Sequence, residues 1–272
     1  MAHFGMDPFS AGPLWHNGPA PCGIYNFPGR PTEAAGGFIE RSKQPITTGT
    51  SVMAFKFDNG VEKGVAIAAD TLGSYGSLAR FRDCRRLFKV NNQIILGAGG
   101  DYADFQYVQS MIDQKNIDDE CLDDGFSMKP KAIYTWLTNV MYNRRSKMDP
   151  FWNNFVVAGI QDGEPYLGSV DKLGTAYEDN IIGTGLGMQL GVPLIREAFE
   201  KKPLMSRSEA QQLLVHTMEV LFYRDARSFP KYQIGIVTAD GVTISDPLYL
   251  DNQKWGFALY VSLSLKPEIM CF

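Results

Sequence analysis

The order of strand-like and helical segments constrains the fold of this chain more than any other feature of its sequence. Short apolar runs predict strands over 51–57, 64–70, 87–90 and 93–98, and two amphipathic helical segments follow them. Further strand-like runs, two more helical segments and a final hairpin then complete the same block pattern. Blocks of this kind favour separate layers of sheet and helix over a repeating βαβ unit. We therefore predict an α/β (α+β) fold, a four-layer αββα sandwich.

The helical segments carry start signals and apolar faces. Asp101 is a candidate N-cap for the first helix, and Pro130 suits the first turn of the second. The apolar residues of the second helix recur at helical spacing and are Ile133, Trp136, Leu137, Val140 and Met141. Segments 187–200 and 206–222 predict the third and fourth helices. The fourth opens with a capping box formed by Ser206 and Glu209.

Composition excludes several classes of function. The chain has 272 residues and a net charge of −4, without a Lys/Arg cluster, so we expect no nucleic-acid partner. It lacks an apolar run of the ~20 residues that span a bilayer, so we expect no membrane partner. Its four cysteines show no CxxC spacing and only three histidines occur, which predicts a reducing compartment and neither a metal site nor a cofactor.

The sequence divides into three parts. Residues 1–41 are rich in Gly and Pro and lack a helical or strand period, which predicts a flexible leader or propeptide. Residues 42–262 form the predicted domain, and 263–272 form a C-terminal tail. The stretch 251–272 begins with many apolar side chains and predicts contacts with a partner, or alternatively an edge strand of the same domain.

Four segments in a fixed order resemble proteasome beta subunits. They are TGTSV at 48–52, VAIAADTLGSYGS at 65–77, GAGGDYADFQY at 97–107 and YRDARS at 223–228. Together they resemble the non-catalytic beta type-4 group, which occupies the seventh position of the beta ring, more than the family at large. The resemblance implies the fold of the N-terminal-nucleophile hydrolases, consistent with the predicted layers.

The resemblance also implies positions for the catalytic residues of active family members. In those members an N-terminal threonine attacks the peptide bond and its own α-amine serves as the base. Thr50 matches that nucleophile, Asp70 the first aspartate and Gly100 the oxyanion glycine. Asp225 and Ser228 match an Asp-x-x-Ser pair. Thr184 is a looser match to a further serine.

Arg86 departs from the family pattern. It stands where active members have the lysine that assists the threonine, sixteen residues after Asp70. An arginine has a pKa above about 12, so it cannot exchange protons near neutral pH. Its guanidinium is also expected to crowd the Thr50 hydroxyl. Because the family's self-cleavage uses the same lysine, we expect the Gly49–Thr50 bond to stay intact and these positions to be vestigial.

The resemblance implies a structural subunit of the 20S proteasome core particle. Its expected partners are beta subunits of the same and the opposite ring and subunits of the alpha ring. Assembly chaperones are further candidate partners. An active neighbour is expected to trim the leader near Arg41 and Ser42, and the expected location is cytoplasm and nucleus. Two alternatives stay open: an active threonine-type endopeptidase with Thr50 as nucleophile, and a stand-alone binding protein of this fold.

Overall fold

The computed structural model describes residues 45–122, 124–125 and 127–250. The predicted leader with its processing residues Arg41 and Ser42, and the predicted tail, lie outside the described residues. In chain order the described elements are β1 (Thr47–Gly49), β2 (Val52–Asp58), β3 (Lys63–Asp70), β4 (Gly73–Tyr75), β5 (Leu78–Phe81), β6 (Leu87–Asn91), β7 (Ile94–Asp101), α1 (Tyr102–Leu122), α2 (Pro130–Ser146), β8 (Asn153–Gln161), β9 (Glu164–Val170), β10 (Ala176–Glu178), β11 (Ile181–Gly183), α3 (Gly187–Lys201), α4 (Arg207–Arg224), β12 (Lys231–Thr238), β13 (Gly241–Ile244) and β14 (Leu248–Tyr249).

Two antiparallel sheets form the centre of the described domain. The first has the order β10-β9-β8-β7-β1-β4-β5, with β6 paired to the first half of β7. The second has the order β11-β2-β3-β12-β13, with β14 paired to β12. In the second sheet, Asp70 at the end of β3 lies opposite Tyr232 of β12. The ends of β3 and β7 therefore deliver Asp70 and Gly100 to the region around Thr50.

Three apolar cores separate four layers. One core fills the space between the sheets and includes Ile67 and Val156. A second lies between the second sheet and the α3/α4 pair and includes Leu214. A third lies between the first sheet and the α1/α2 pair and includes Leu96 and Leu137. This arrangement confirms the predicted αββα sandwich.

The predicted helices agree closely with the structure. Asp101 Oδ2 accepts a hydrogen bond from the Asp104 amide (3.1 Å), as expected of a side chain that caps α1. Pro130 begins α2, which buries Ile133, Leu137 and Met141. Trp136 and Val140, predicted for the same face, are half-buried and pack at the margin of that core.

The capping box of α4 is present. Ser206 Oγ accepts from the Glu209 amide, and Glu209 Oε2 accepts from the Ser206 amide at 3.0 Å. Replacing Ser206 with alanine leaves the Glu209 amide without its side-chain acceptor. We expect the Ser206→Ala variant to lose about 1 kcal/mol of unfolding free energy. Urea denaturation of the full-length chain measures the loss, and Ser208→Ala, at an exposed serine two residues further along, is the matched control. Equal stability of the two variants would contradict the expectation.

The sequence pattern did not reveal the short strands β1, β4, β5, β10, β11 and β14. Each has only two to four residues, too few for an alternating pattern to emerge. The turn between β2 and β3 lies at the surface, where Val61 is 96% exposed. Within the same described ranges, no helix has the length and apolar character needed to cross a membrane.

Candidate functional site

Thr50 lies between β1 and β2, inside a continuous backbone. Upstream of it, β1 is hydrogen-bonded on both sides: Gly49 lies opposite Gly100 of β7, and Thr47 lies opposite Tyr75 of β4. Asp101 Oδ1 also accepts from the Ile46 amide at 3.2 Å. The segment before Thr50 is thus an integral strand of the first sheet. In the uncleaved chain the nitrogen of Thr50 is a peptide amide, and an amide nitrogen is not a base.

Arg86 is buried beneath Thr50, with 2% of its surface exposed. Its Nε donates to the Asp70 carbonyl at 3.0 Å, and Nη2 forms an ion pair with Asp70 Oδ1. Nη1 donates to the carbonyls of Thr50 and Ala98, and Nη2 to that of Ser51, each at 3.0 Å. The guanidinium therefore joins β3, β7 and the link between β1 and β2. All three of its nitrogen atoms are engaged with fixed acceptors.

The Arg86 side chain contacts the Thr50 backbone. We expected the guanidinium to crowd the Thr50 hydroxyl. The structure places its hydrogen bond on the Thr50 carbonyl, while the Thr50 Oγ1 accepts from the adjacent Ser51 amide. A main-chain carbonyl is a better partner because it is fixed and accepts without donating.

The absence of a side chain at Gly49 leaves room for the side chain of Arg86. A Cβ at Gly49 would lie 2.4 Å from Arg86 Cδ and 2.9 Å from its Nε. The arginine side chain is therefore packed against the residue whose carbonyl forms the Gly49–Thr50 bond. This packing covers one face of the peptide that active family members must cleave.

The carboxylate that pairs with the guanidinium, Asp70, has a second carboxylate, Asp225, in its surroundings. Burial raises the pKa of Asp70, which is 1% exposed, while the charge and hydrogen bond of Arg86 oppose the rise. Asp225 is close enough for its charge to raise the same pKa further. Asp225 caps the C-terminus of α4, and its carbonyl accepts from the Ser228 amide at 3.1 Å. The predicted Asp-x-x-Ser pair thus forms a turn beside Asp70, and among the described residues neither member hydrogen-bonds to Thr50.

Gly100 and Thr184 border Thr50 from two other sides. Gly100 has φ +93°, a conformation that L side chains rarely adopt. Thr184 Oγ1 accepts from the Val52 amide at 2.9 Å, so the loosely matched residue does belong to this region. Both residues line a cavity of about 300 Å³ together with Thr50, Trp152 and Lys172. Three of the predicted positions, Thr50, Gly100 and Thr184, therefore share one cavity, whereas Asp70, Arg86, Asp225 and Ser228 are not part of its lining.

A family model described as proteasome subunit matches residues 46–237. The chain is 51% identical over 245 residues to proteasome subunit beta type-4 of Xenopus laevis, covering 90% of this chain and 97% of that protein. The chain belongs to the proteasome subunit family. Proteasome subunit beta type-4 of Drosophila melanogaster is 43% identical, covering 91% and 95% of the two chains. Proteasome subunit beta type-7 of Saccharomyces cerevisiae is 37% identical, covering 93% and 95%.

These matches confirm the resemblance to proteasome beta subunits and to their beta type-4 group. They also agree with the αββα sandwich, since the family match spans almost every element of both sheets. As a member of the proteasome subunit family, the chain assembles with other proteasome subunits.

Sequence reasoning missed two residues of the site. Asp101 was predicted only as a helix cap, yet its second oxygen holds the backbone upstream of Thr50. Lys172 was not singled out, and it lines the Thr50 cavity with its Nζ 3.8 Å from the centre of the Trp152 ring. A cation–π contact between residues twenty positions apart leaves no sequence signal. Within the described ranges, no group of acidic, His and Cys side chains suits a metal ion.

Proposed function

We propose that this chain is a non-catalytic structural beta subunit of the 20S proteasome core particle. It contributes to ring assembly and to the wall of the chamber for ATP- and ubiquitin-dependent protein degradation. The observation that carries the proposal is the set of five hydrogen bonds made by the buried Arg86. A guanidinium has only hydrogen-bond donors and no acceptor, so it cannot take a proton from the Thr50 hydroxyl.

The chain upstream of Thr50 supports the same conclusion. Attack by a threonine hydroxyl in this family needs the α-amine of that threonine as base. Here β1 is paired with β4 and β7, and Arg86 packs against Gly49, so release of the segment before Thr50 would have to break two strand pairings. The vestigial set of Thr50, Asp70, Arg86, Gly100, Asp225 and Ser228 then serves the fold, and no cofactor takes part.

Assembly with other subunits explains the exposed apolar residues of the domain. Leu122 of α1 is 71% exposed and Met148, just after α2, is 73% exposed. Large apolar side chains of this kind are typical of surfaces that contact other proteins. We assign as partners the beta subunits of the same and the opposite ring, the alpha-ring subunits and assembly chaperones. We further propose that the assembled subunit resides in cytoplasm and nucleus.

The experiment that tests the proposal replaces Thr50 with alanine in the assembled particle. We expect every peptidase activity of the particle to stay within about 1.5-fold of the wild type, because the reaction needs a base that Thr50 lacks. Intact-mass spectrometry of the wild-type chain should show a mature start upstream of residue 50. The control is a peptide epoxyketone, which should add to the active subunits of the same particle and leave this chain unmodified.

The alternative function is an active threonine-type endopeptidase that uses Thr50 with Asp70, Asp225 and Ser228. The open cavity at Thr50 is the observation that favours it. The same measurements separate the two functions. A chain that begins at Thr50 and carries the epoxyketone would establish the endopeptidase and refute the structural role.

A further inference from the structure

The hairpin formed by β4 and β5 is an exposed edge of the first sheet. Every residue from Tyr75 to Asp83 is exposed, although β1 and most of β4 beside it are at least half-buried. Three of its exposed side chains are large and apolar: Tyr75 (46% exposed), Leu78 (61%) and Phe81 (41%). β5 is the last strand in the pairing order, so one edge of its backbone has no strand partner among the described residues. An edge of this kind is a template for a further strand.

Arg80 is held between two aromatic rings of this hairpin. Its guanidinium carbon lies 5.3 Å from the centre of the Tyr75 ring and 5.2 Å from that of Phe81. Arg82, two residues on, lies 5.8 Å from the centre of the Phe229 ring. Cation–π contacts position a guanidinium without neutralising its charge. Both arginines are thus held in place, and their hydrogen-bond donors remain available.

Neither arginine has a carboxylate partner in the described part of the chain. The described salt bridges include none to Arg80 or Arg82, and the adjacent Asp83 is paired with Lys231 at 2.7 Å. The chain as a whole is acidic, with a net charge of −4, so an unpaired basic hairpin is a local exception. Carboxylates bind guanidinium groups through two parallel hydrogen bonds, and arginine and aromatic residues are enriched in protein interfaces.

We propose that the β4–β5 hairpin docks against an acidic, extended segment of a neighbouring proteasome subunit. The segment pairs with the free edge of β5 and places carboxylates on Arg80 and Arg82. Tyr75, Leu78 and Phe81 supply the apolar contact that surrounds the charges. This inference rests on the proposed function, because it assumes that the chain is built into a particle. It adds the surface used and the chemistry of its partner.

A different explanation of the arginines is that they only keep the edge soluble. Charged residues on edge strands commonly prevent pairing with other chains. In that case a glutamate at position 80 would protect the edge equally well. The docking proposal predicts the opposite, because a glutamate would meet the carboxylates of the partner. Charge reversal therefore separates the two explanations.

The test introduces Arg80→Glu into the full-length chain, co-expressed with the other subunits of the particle. We expect its incorporation into assembled particles, measured by quantitative mass spectrometry against wild-type chain in the same cells, to fall at least about tenfold. Arg80→Lys, which keeps the charge and loses the planar fork, should give an intermediate loss. Lys89→Glu, an exposed cation on β6 of the same sheet, is the matched control and should incorporate as wild type. Equal incorporation of Arg80→Glu and Lys89→Glu would overturn the proposal.

A cross-linking experiment identifies the partner and guards against misfolding of the variant. A photoreactive phenylalanine at position 78 should link this chain, within assembled particles, to another subunit at a segment that contains Asp or Glu. A link only to a segment without carboxylates, or none at all, would refute docking while leaving the structural role intact. If the wild-type chain does not enter particles at all, the proposed function itself fails.

Discussion

Replacement of Arg86 with alanine is expected to remove about 3–5 kcal/mol of unfolding free energy, because it leaves a buried charge without its partner. Asp70 would lose its ion pair while remaining 1% exposed. The carbonyls of Ser51 and Ala98, which accept from the guanidinium, would lose a donor in the interior. Urea denaturation of the full-length chain, followed by tryptophan fluorescence, measures the change.

Two further variants define the cause of this loss. Arg85→Ala removes the neighbouring, exposed arginine and is expected to change stability by less than about 0.5 kcal/mol. Asp70→Asn combined with Arg86→Ala removes the unpaired carboxylate charge, so the double variant should cost less than the sum of the single variants. If Arg86→Ala were no more harmful than Arg85→Ala, the guanidinium would not hold these strands together. The structural explanation of the vestigial site would then be wrong.

Much of this site was accessible from the sequence because it lies at the ends of recognisable strands. The run GVAIAAD predicted a buried strand ending at Asp70, and the structure places Asp70 as the last residue of β3. The strand predicted over 93–98 stops short of Gly100, and the structure extends it to Asp101 as β7. Residue spacing within the family pattern then brought Arg86 to the same place. Periodicity and family resemblance together therefore located three of the vestigial positions.

The hydrogen bonds of the site could not be predicted in this way. Four of the five formed by Arg86 go to main-chain carbonyls, and carbonyls are present at every residue, so no side-chain pattern marks the ones that are used. The strand β1, which holds the chain before Thr50, has three residues and depends on pairing with β4 and β7. Such short strands are created by tertiary contacts rather than by local preference.

Replacement of Gly100 is also expected to be strongly destabilising, because the position requires both a positive φ and the absence of a Cβ. Its φ is +93°, and a Cβ at this position would lie 2.0 Å from the carbonyl oxygen of Trp152. That oxygen is itself fixed, since it accepts from the Asp101 amide at 2.9 Å. We expect Gly100→Ala to cost more than about 3 kcal/mol, which exceeds the strain of a positive φ alone. Denaturant unfolding and soluble yield measure this loss.

A substitution at Gly163 measures the cost of the positive φ without a steric clash. Gly163 has a similar φ of +85° in the turn between β8 and β9, but a Cβ there meets no atom within 4 Å. Gly163→Ala should therefore cost only about 1–2 kcal/mol, the strain of the left-handed conformation itself. The difference between the two variants isolates the contact with Trp152. If both alanines cost the same, the close approach of β7 to the Trp152 carbonyl would not constrain this position, and conformational strain would be sufficient to explain the glycine.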